Sequence, residues 1–378
     1  MMLRISDFRT RARSRLPRFV FDYVDGAAED EECIVRNETD LRALHLLPTC
    51  LRDTTTLDTS IEVFGQTWAA PIGIAPIGFA GLVRPRADST LAQAAQALCL
   101  PYVLSTASNE RIETVREAAP GGQQWLQLYV MSDRGIAEQM VQRARRAGYG
   151  ALVLTVDVPV SGMRERDLRN GFKLPFRPGL RTLADLVTHP AWSLSMALAG
   201  SPGFVNLTAD NVKASPQLQA ALLARTMDRS LTWESLRWLR SLWDGPLLVK
   251  GLLHPEDAKR ALAHGVDGIV VSNHGGRQLD AAPSTISALP AVVDAAAGQV
   301  PVFVDSGFRR GSDVVKALAL GARGVFIGRP AVWGLAAGGR EGAVAALRLF
   351  MDEITRTMTL LGAPRVADLQ PLHVRKNV

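Results

Sequence analysis

A histidine, two arginines and an aspartate stand just past apolar runs of this chain. His274 and Arg277 lie in SNHGGRQLD, Asp157 follows ALVLTV, and Arg164 lies in SGMRERD. Histidine titrates near neutral pH and suits proton abstraction, and a carboxylate can orient its ring and stabilise the imidazolium. Two guanidinium groups can bind a carboxylate in bidentate geometry. The pattern predicts a general base, with Asp157 as its partner, and a carboxylate clamp, although Arg164 alone could equally be a surface charge.

Two segments near the end of the chain combine glycine with arginine. DSGFRRG (305–311) contains Gly307 and Arg309, and GRP (328–330) contains Gly328 and Arg329. Glycine allows the backbone to approach a ligand closely, and α/β barrels commonly bind phosphate after their last two strands. We therefore predict a phosphate cradle here. The alternative is a pair of turns with solvated arginines.

Lys250 follows the apolar residues LLV, so its ammonium group is expected to be partly buried. A buried ammonium needs an anionic or strongly accepting partner. The electron-rich pyrimidine edge of a flavin would serve, because positive charge there stabilises the reduced, anionic ring. A nucleophile that forms a Schiff base is the competing interpretation.

Eight short apolar runs carry these residues and alternate with alanine-rich, helix-like segments. They are PIGIAP (71–76), YVLS (102–105), WLQLYV (125–130), ALVLTV (151–156), LLVKG (247–251), GIVVSN (268–273), VFVDSG (302–307) and GVFIG (324–328). Runs without strict alternation are typical of parallel strands covered on both faces. The pattern predicts a (β/α)8 TIM barrel with its reactive groups on the C-terminal rim. A Rossmann fold is disfavoured, because no GxGxxG follows a strand near the start.

We expect a single domain over residues 1–378, with an N-terminal helical cap (1–70), the barrel (71–339) and a helical tail (340–378). A long insertion, 176–227, separates the fourth and fifth strands, and an amphipathic helix is predicted at 228–243. Part of the insertion, AWSLSMALAG (191–200), is apolar and has Arg177, Arg181 and Lys213 on either side. Segment 176–215 is therefore expected to be either a mobile surface loop or a peripheral membrane contact.

Composition excludes several classes of protein. With 47% hydrophobic residues and 21% charged residues, the chain is not disordered. Its net charge of +6 is dispersed, and no nucleic-acid-binding motif accompanies it. We expect no transmembrane helix and no signal peptide. The three cysteines lack metal-ligand or CxxC spacing, so we expect no metal site and a cytoplasmic location.

Taken in order, these motifs resemble one family along essentially the whole chain. LQLYV, LTVDVPVSGMRERDLRN, the LVKG lysine, SNHGGRQLD and DSGFRRG all resemble the FMN-dependent α-hydroxy-acid oxidases and dehydrogenases. The membrane-associated (S)-mandelate dehydrogenase branch is the most similar. RERDLRNGFKLP (164–175) and MDRSLTWESLRWLRSLW (227–243) are similar to stretches that flank the membrane-binding insertion of that branch.

The resemblance implies a role for each matching residue. It implies that His274 is the base, that Asp157 is its partner and that Arg164 and Arg277 bind the substrate carboxylate. Tyr23 would also donate to that carboxylate, and Tyr129 to the substrate hydroxyl or developing carbonyl oxygen. The positions implied for FMN are Pro76, Ile77, Gly78, Ser105, Gln127, Thr155, Lys250, Ser272, Asp305, Gly307, Arg309, Gly328 and Arg329.

The implied reaction is oxidation of an (S)-2-hydroxy acid, foremost (S)-mandelate, to the 2-keto acid (benzoylformate). A quinone-type acceptor is implied by Gly78, because family oxidases usually carry alanine there. L-lactate dehydrogenase and hydroxy-acid oxidase are the alternatives within the family. Outside it are barrels of the isopentenyl diphosphate isomerase or inosine monophosphate dehydrogenase type, which do not need the histidine and both arginines, and a non-catalytic flavin-binding protein.

The resemblance also implies a homotetramer, attached peripherally to the cytoplasmic face of the inner membrane. One position departs from the family pattern. Ser306 stands where many relatives have glycine. We therefore expect that the backbone there need not adopt a conformation reserved for glycine, and that FMN binding is preserved.

Overall fold

The computed structural model describes residues 2–171, 179–207 and 227–376. The first elements form a cap over the barrel. They are α1 (Ile5–Arg13), α2 (Arg18–Asp25), α3 (Glu32–Ala43), β1 (Leu44–Leu46) and the antiparallel hairpin of β2 (Ile61–Val63) and β3 (Gln66–Trp68). Trp68 is fully buried, and its ring lies 5.5 Å from that of Trp125 and 5.6 Å from that of Phe303. The hairpin therefore closes the N-terminal end of the barrel and leaves the C-terminal end for a ligand.

All eight predicted strands are present, and they form a closed parallel barrel. They are β4 (Ile72–Ile74), β5 (Pro101–Leu104), β6 (Gln123–Leu128), β7 (Ala151–Thr155), β8 (Leu247–Leu252), β9 (Gly268–Val271), β10 (Val302–Val304) and β11 (Gly324–Ile327). Each strand pairs with its neighbour in sequence, and β11 pairs with β4. The predicted TIM barrel is confirmed.

Helices surround the barrel and cover its outer face. They are α4 (Ala87–Gln96), α5 (Ile112–Ala118), α6 (Arg134–Ala147), α7 (Glu165–Arg169), α8 (Leu180–Thr188), α9 (Pro190–Ala199), α10 (Glu234–Leu242), α11 (Pro255–Ala263), α12 (Thr285–Ala296), α13 (Gly311–Ala319) and α14 (Arg329–Leu361). Leu104, Leu126 and Leu154 are fully buried between strands and helices, whereas Val103, Trp125 and Val153 fill the interior. Burial on both faces explains why the strands read as unbroken apolar runs.

The described part of the insertion, 179–207, contains α8 and α9 rather than an open loop. It is attached to the cap: the rings of Phe19 and Trp192 meet edge to face at 5.7 Å, and the Arg18 backbone N–H donates to Asp185. Arg177 and Lys213 lie outside the described residues. None of the described helices has the length and hydropathy needed to cross a bilayer.

The helix expected at 228–243 begins only at Glu234. Asp228 accepts hydrogen bonds from the backbone N–H and hydroxyl of Ser230, and its own N–H donates to the carbonyl of Val130. These local side-chain bonds compete with helix formation. The amphipathic pattern located the helix but not its first turns.

The tail differs from the helical segment expected at 340–378. Helix α14 crosses the expected boundary, with a kink at Gly338 and Gly339, and ends where Gly362 adopts a left-handed conformation. Two 3-10 turns follow, and the chain then forms β12 (Val374–Lys376), which pairs antiparallel with β1 of the cap. The helix stops because glycine readily takes this terminating conformation and Pro364 cannot continue it.

Candidate active site

A cavity of about 370 Å³ opens at the C-terminal ends of the barrel strands. Most of the predicted site residues line it: Tyr23, Pro76, Ile77, Gly78, Ser105, Tyr129, Thr155, Arg164, Lys250, His274, Arg277, Asp305, Gly307, Arg309, Gly328 and Arg329. The other three, Asp157, Gln127 and Ser272, stand behind the wall and contact residues that line it. Its size is in the range of small-molecule binding sites.

His274 lies between a carboxylate and a phenol. Its Nδ1 is 2.9 Å from Oδ1 of Asp157, and its Nε2 is 3.3 Å from the hydroxyl oxygen of Tyr129. Burial, with the nearby Lys250 and Arg164, lowers the pKa of His274 below its usual value although Asp157 opposes the shift. Burial would raise the pKa of Asp157, but His274, Lys250 and a backbone hydrogen bond together lower it. At neutral pH the pair is therefore a carboxylate and a neutral imidazole, whose Nε2 can accept a proton.

The loop that carries His274 has an unusual backbone. His274 has φ of 59°, and Gly275 and Gly276 follow with φ of 68° and 76°. A positive φ is uncommon outside glycine and persists where surrounding bonds enforce it. Here the N–H of His274 donates to Ser272, that of Gly275 to Ser306, and the Gly276 carbonyl accepts from the N–H of Ala28. The cap and two strand ends thus fix the imidazole.

Gly251 lets Asp157 approach this loop. It sits at a bulge in β8 with φ of 106°, and a Cβ built there would lie 2.7 Å from Cβ and Cγ of Asp157. Any larger residue would combine backbone strain with a clash against the partner of His274. Sequence analysis missed this role, although the glycine directly after Lys250 in LVKG is a visible signal.

Two guanidinium groups face the same cavity as His274. Arg277 donates from Nη1 to the carbonyls of Tyr23 and Gly26, and it lies 5.0 Å from the centroid of the Tyr23 ring. Burial, reinforced by the nearby Arg164, lowers the pKa of Arg277 to about 10. Nε of Arg164 is buried with no hydrogen-bond partner among the described residues. Like charges crowded in this way favour an anionic ligand.

Lys250 has the anionic partner that its burial requires. Its ammonium nitrogen lies 3.2 Å from Oδ2 of Asp305 and donates to the hydroxyl of Ser272 at 2.7 Å. Burial lowers its pKa, but Asp305 and Asp157 raise it by more, so the group stays charged. The arrangement places a fixed cation at the wall of the cavity.

The four residues of the predicted phosphate cradle, Gly307, Arg309, Gly328 and Arg329, line the cavity, and both arginines are held by protein groups. Arg329 donates to the carbonyls of Val24, Gly275 and Gly26, and Arg309 forms an ion pair with Glu38 at 3.1 Å. Burial and the neighbouring Arg277 and Arg309 lower the pKa of Arg329 to about 9. Because protein groups already accept hydrogen bonds from both arginines, their main contribution to the cradle is positive charge rather than free N–H donors. The glycines supply the close approach.

The expectation for Ser306 is wrong. Its φ is 79°, in the left-handed region that favours glycine. The strain is offset by its hydroxyl, which donates to Asp305 at 2.8 Å and accepts from the N–H of Gly275 at 2.9 Å. Serine therefore occupies a glycine-like conformation because its side chain joins the cradle to the His274 loop.

Unpartnered polar atoms test whether the cavity fits a flavin. Gln127 Nε2 and Thr155 Oγ1 are buried on adjacent strands with no partner among the described residues. Oε1 of Gln127 accepts from Ser105, which orients the amide, and Lys250 pairs in register with Thr155. Buried donors and acceptors are normally satisfied. A polar heterocycle edge beside these strand ends would satisfy them, so the residues fit the predicted cofactor.

The cavity also contains residues that sequence analysis did not select. They are mostly apolar and include Phe79, Val158, Phe204 and Met227, with the buried Asp167 beside the two arginines. Phe79 follows Gly78 at a strand end and could have been found from that position. Phe204 belongs to the insertion, where nothing in the sequence indicates proximity to the barrel.

The model of the family described as FMN-dependent dehydrogenase matches residues 12–376. The chain belongs to this family. It is an FMN-dependent 2-hydroxy-acid dehydrogenase, an oxidoreductase whose cofactor is FMN. Membership decides against the isomerase-type barrels and the non-catalytic flavin-binding protein.

Relatives with two different substrates are similarly close to this dehydrogenase. An (S)-mandelate dehydrogenase from Pseudomonas putida is 45% identical over 98% of this chain and 93% of its own. An L-lactate dehydrogenase from Vibrio parahaemolyticus is 42% identical over 96% of each chain. The crystal structure of a monotopic membrane protein, (S)-mandelate dehydrogenase, superposes with a TM-score of 0.96 at 44% identity over both full chains. The resemblance stated from the motifs is confirmed.

Proposed function

We propose that this dehydrogenase oxidises (S)-mandelate to benzoylformate and passes the electrons removed from the substrate to a quinone-type acceptor. The observation that carries oxidation of a 2-hydroxy acid is the position of His274, bonded to Asp157 and Tyr129 within a cavity that also holds Arg164 and Arg277. Mandelate is favoured as the substrate by the similarity to the (S)-mandelate dehydrogenases. A base, a phenol and two cations are the groups needed to hold a hydroxy acid and remove its proton.

Arg164 and Arg277 bind the substrate carboxylate. Arg277 is already fixed by the Tyr23 and Gly26 carbonyls, so little side-chain freedom is lost when the anion binds. The hydroxyl of Tyr23, which lies 3.1 Å from the Gly78 carbonyl oxygen, can turn to the same carboxylate. Desolvated charge-assisted hydrogen bonds of this kind fix the orientation of the acid.

His274 removes one substrate proton at Nε2. Asp157 accepts from Nδ1–H, which fixes the tautomer and stabilises the imidazolium that forms. Burial raises the pKa of Tyr129 above its usual value, so the phenol stays protonated and donates to the substrate oxygen. FMN, when bound, would supply the two-electron acceptor and would also take up the second hydrogen that the hydroxy acid loses.

FMN is held by the strand ends. Pro76, Ile77 and Gly78 line one wall, and Lys250 supplies positive charge for the pyrimidine edge. The remaining contacts come from polar side chains and from the cradle: Ser105, Gln127, Thr155, Ser272, Asp305, Gly307, Arg309, Gly328 and Arg329. The unpartnered atoms of Gln127 and Thr155 support this assignment.

L-lactate is the second candidate substrate. It is favoured by the L-lactate dehydrogenase relatives, whose identity of 42% is close to the 45% of the mandelate enzyme. Anaerobic bleaching of the flavin absorbance with mandelate, lactate and glycolate tests the proposal. We expect mandelate to bleach at the lowest concentration. If lactate alone bleaches the flavin, lactate replaces mandelate as the assigned substrate. If no hydroxy acid bleaches it, the proposed activity is wrong.

A quinone-type acceptor is supported by Gly78, where the resemblance places alanine in oxidases. A Cβ at this position would lie 3.1 Å from Cβ of Ala107 and 3.7 Å from Oγ of Ser105, so alanine would reduce the space in this wall. We expect the reduced enzyme to be reoxidised by a soluble quinone much faster than by oxygen. Stopped-flow mixing with each acceptor measures both rates.

A peripheral membrane contact through segment 176–215, at the cytoplasmic face of the inner membrane, is also proposed. Leu183, Val187, Leu194 and Leu198 of its helices are exposed, and the (S)-mandelate dehydrogenase crystal structure is of a monotopic membrane protein. Amphipathic helices bind interfaces through such apolar residues. We expect co-flotation with anionic phospholipid vesicles, lost when Leu183, Val187, Leu194 and Leu198 are all replaced by serine.

The proposed assembly is a homotetramer, and its support is the family resemblance. Multi-angle light scattering of the detergent-solubilised enzyme measures its mass. A mass near four chains is expected, and a monomer would contradict the proposal.

A further inference from the structure

Part of the cavity wall is an apolar cluster next to the cap. Phe79, Ala107 and Phe204 line the cavity together: the Phe79 and Phe204 rings are in contact, the Phe79 N–H donates to the Ala107 carbonyl, and the Phe79 ring meets that of Tyr23. Phe79 and Phe204 are 9% and 5% exposed, so the cluster is largely closed to solvent. Arg277 and His274 line the same cavity, so the side chain of a substrate bound by them can pack against this cluster.

Phe204 forms part of an aromatic row that reaches the substrate clamp. Its ring centroid lies 5.1 Å from that of Phe79 with the planes inclined by 40°, and Phe79 meets Tyr23 edge to face at 6.0 Å. Arg277 lies over the other side of this row, 5.0 Å from the Tyr23 ring centroid. The row therefore leads from the carboxylate clamp to the insertion.

The segment around Phe204 is fixed to the barrel by hydrogen bonds. Asn109 donates to the carbonyl of Gly203 at 2.9 Å, and the amide of Asn206 donates to the carbonyl of Glu110 at 2.8 Å. Oδ1 of Asn206 accepts from Arg143 at 3.0 Å and from the N–H of Ile112 at 3.2 Å. These bonds join the insertion to the segment after β5 and to α6. They hold Phe204 in a fixed position in the cavity wall.

We propose that Phe204 determines specificity for 2-hydroxy acids with an aromatic side chain. This inference rests on the proposed function and names the residue that selects its substrate class. A phenyl group would pack against Phe204 and Phe79, because aromatic rings favour tilted and edge-to-face contacts at such separations. A methyl group would leave this part of the cavity underfilled. The insertion thereby contributes to catalytic specificity as well as to any surface contact.

The test compares aromatic and aliphatic acids in Phe204→Ala and in the more conservative Phe204→Leu. We expect the ratio of kcat/KM for mandelate over lactate to fall by about 10- to 200-fold in Phe204→Ala, the range known for apolar specificity pockets, and by less in Phe204→Leu. Leu198→Ala is the matched control, since Leu198 is on the same insertion and 81% exposed. Its ratio should be unchanged in detergent with a soluble acceptor.

A binding measurement separates this inference from the activity. Titration calorimetry of the holoenzyme with phenylacetate and propionate needs no turnover. We expect Phe204→Ala to weaken phenylacetate binding selectively, with propionate affected little. Equal weakening of both acids, or an unchanged ratio of the two dissociation constants in either variant, would overturn the inference. Failure of every hydroxy acid to bleach the flavin would instead overturn the proposed activity. The phenylacetate and propionate titrations would still test the role of Phe204, because they need no turnover.

Discussion

Nδ1 of His274 lies 2.9 Å from Oδ1 of Asp157, whereas the second oxygen of that carboxylate is buried without a partner among the described residues. The carboxylate is thus directed at a single ring nitrogen. Because an ionised carboxylate can only accept, Nδ1 carries the proton and Nε2 faces the cavity with its lone pair. The pair defines one tautomer before substrate arrives.

His274→Ala is expected to lower kcat/KM by about 10²- to 10⁴-fold, the usual contribution of a general base. FMN binding should persist, because the substitution leaves the proposed FMN-binding residues unchanged, including Ser272, Lys250 and the cradle. Steady-state kinetics with dichlorophenolindophenol and the visible absorbance of the flavin measure the two properties. Near-normal turnover in the variant would contradict the role of His274.

The pH profile of kcat/KM should respond to Asp157. A base acts when neutral, so the rate falls as pH decreases through the pKa of His274, which burial lowers below its usual value. Asp157 raises that pKa in opposition to burial. Asp157→Asn should therefore move the acidic limb to lower pH while reducing the plateau. A limb that moved to higher pH would refute the pairing.

Arg277→Lys should raise KM for the hydroxy acid by about 10- to 150-fold, as loss of a charge-assisted hydrogen bond of about 1.5–3 kcal/mol predicts. Lysine keeps the charge but loses the planar fork that binds a carboxylate while also donating to the Tyr23 carbonyl. Arg237→Lys is the control, because Arg237 is exposed and pairs with Glu234 on the same helix, away from the cavity. Unchanged kinetics in Arg277→Lys would argue against the clamp.

Gly251→Ala should inactivate the enzyme through Asp157. Gly265→Ala is a matched control: both glycines have positive φ, but a Cβ at Gly265 would meet nothing within 4 Å. Each substitution costs about 1–2 kcal/mol of stability from the left-handed conformation. Only Gly251→Ala also pushes Asp157 away from His274. The melting temperature should therefore fall in both variants, and kcat should fall in Gly251→Ala alone.

The barrel could be predicted from sequence because its strands are buried on two faces. Apolar runs such as ALVLTV are typical of buried parallel strands, and the polar residues that follow them locate the C-terminal rim of the barrel. Asp157, Lys250 and His274 can be predicted as site residues because polar residues that follow parallel barrel strands converge on one rim. Their mutual distances came only from the closed barrel.

The features that were missed depend on contacts between distant segments. Phe204 reaches the cavity because Asn109 and Asn206 join the insertion to another loop, which no local pattern reports. Ser306 has a positive φ because its hydroxyl bonds to Gly275 and Asp305. Local propensity favours a different backbone there, and tertiary hydrogen bonds override it.

The pairing of β12 with β1 has a consequence for biosynthesis. Leu44, His45 and Leu46 acquire their strand partners only after residues 374–376 have been made. During translation, β1 of the cap therefore has an unpaired edge until the whole barrel and the long helix after it have been synthesised. A truncation that removes Val374–Lys376 would leave that edge open permanently and offer newly made chains a site for mispairing with one another.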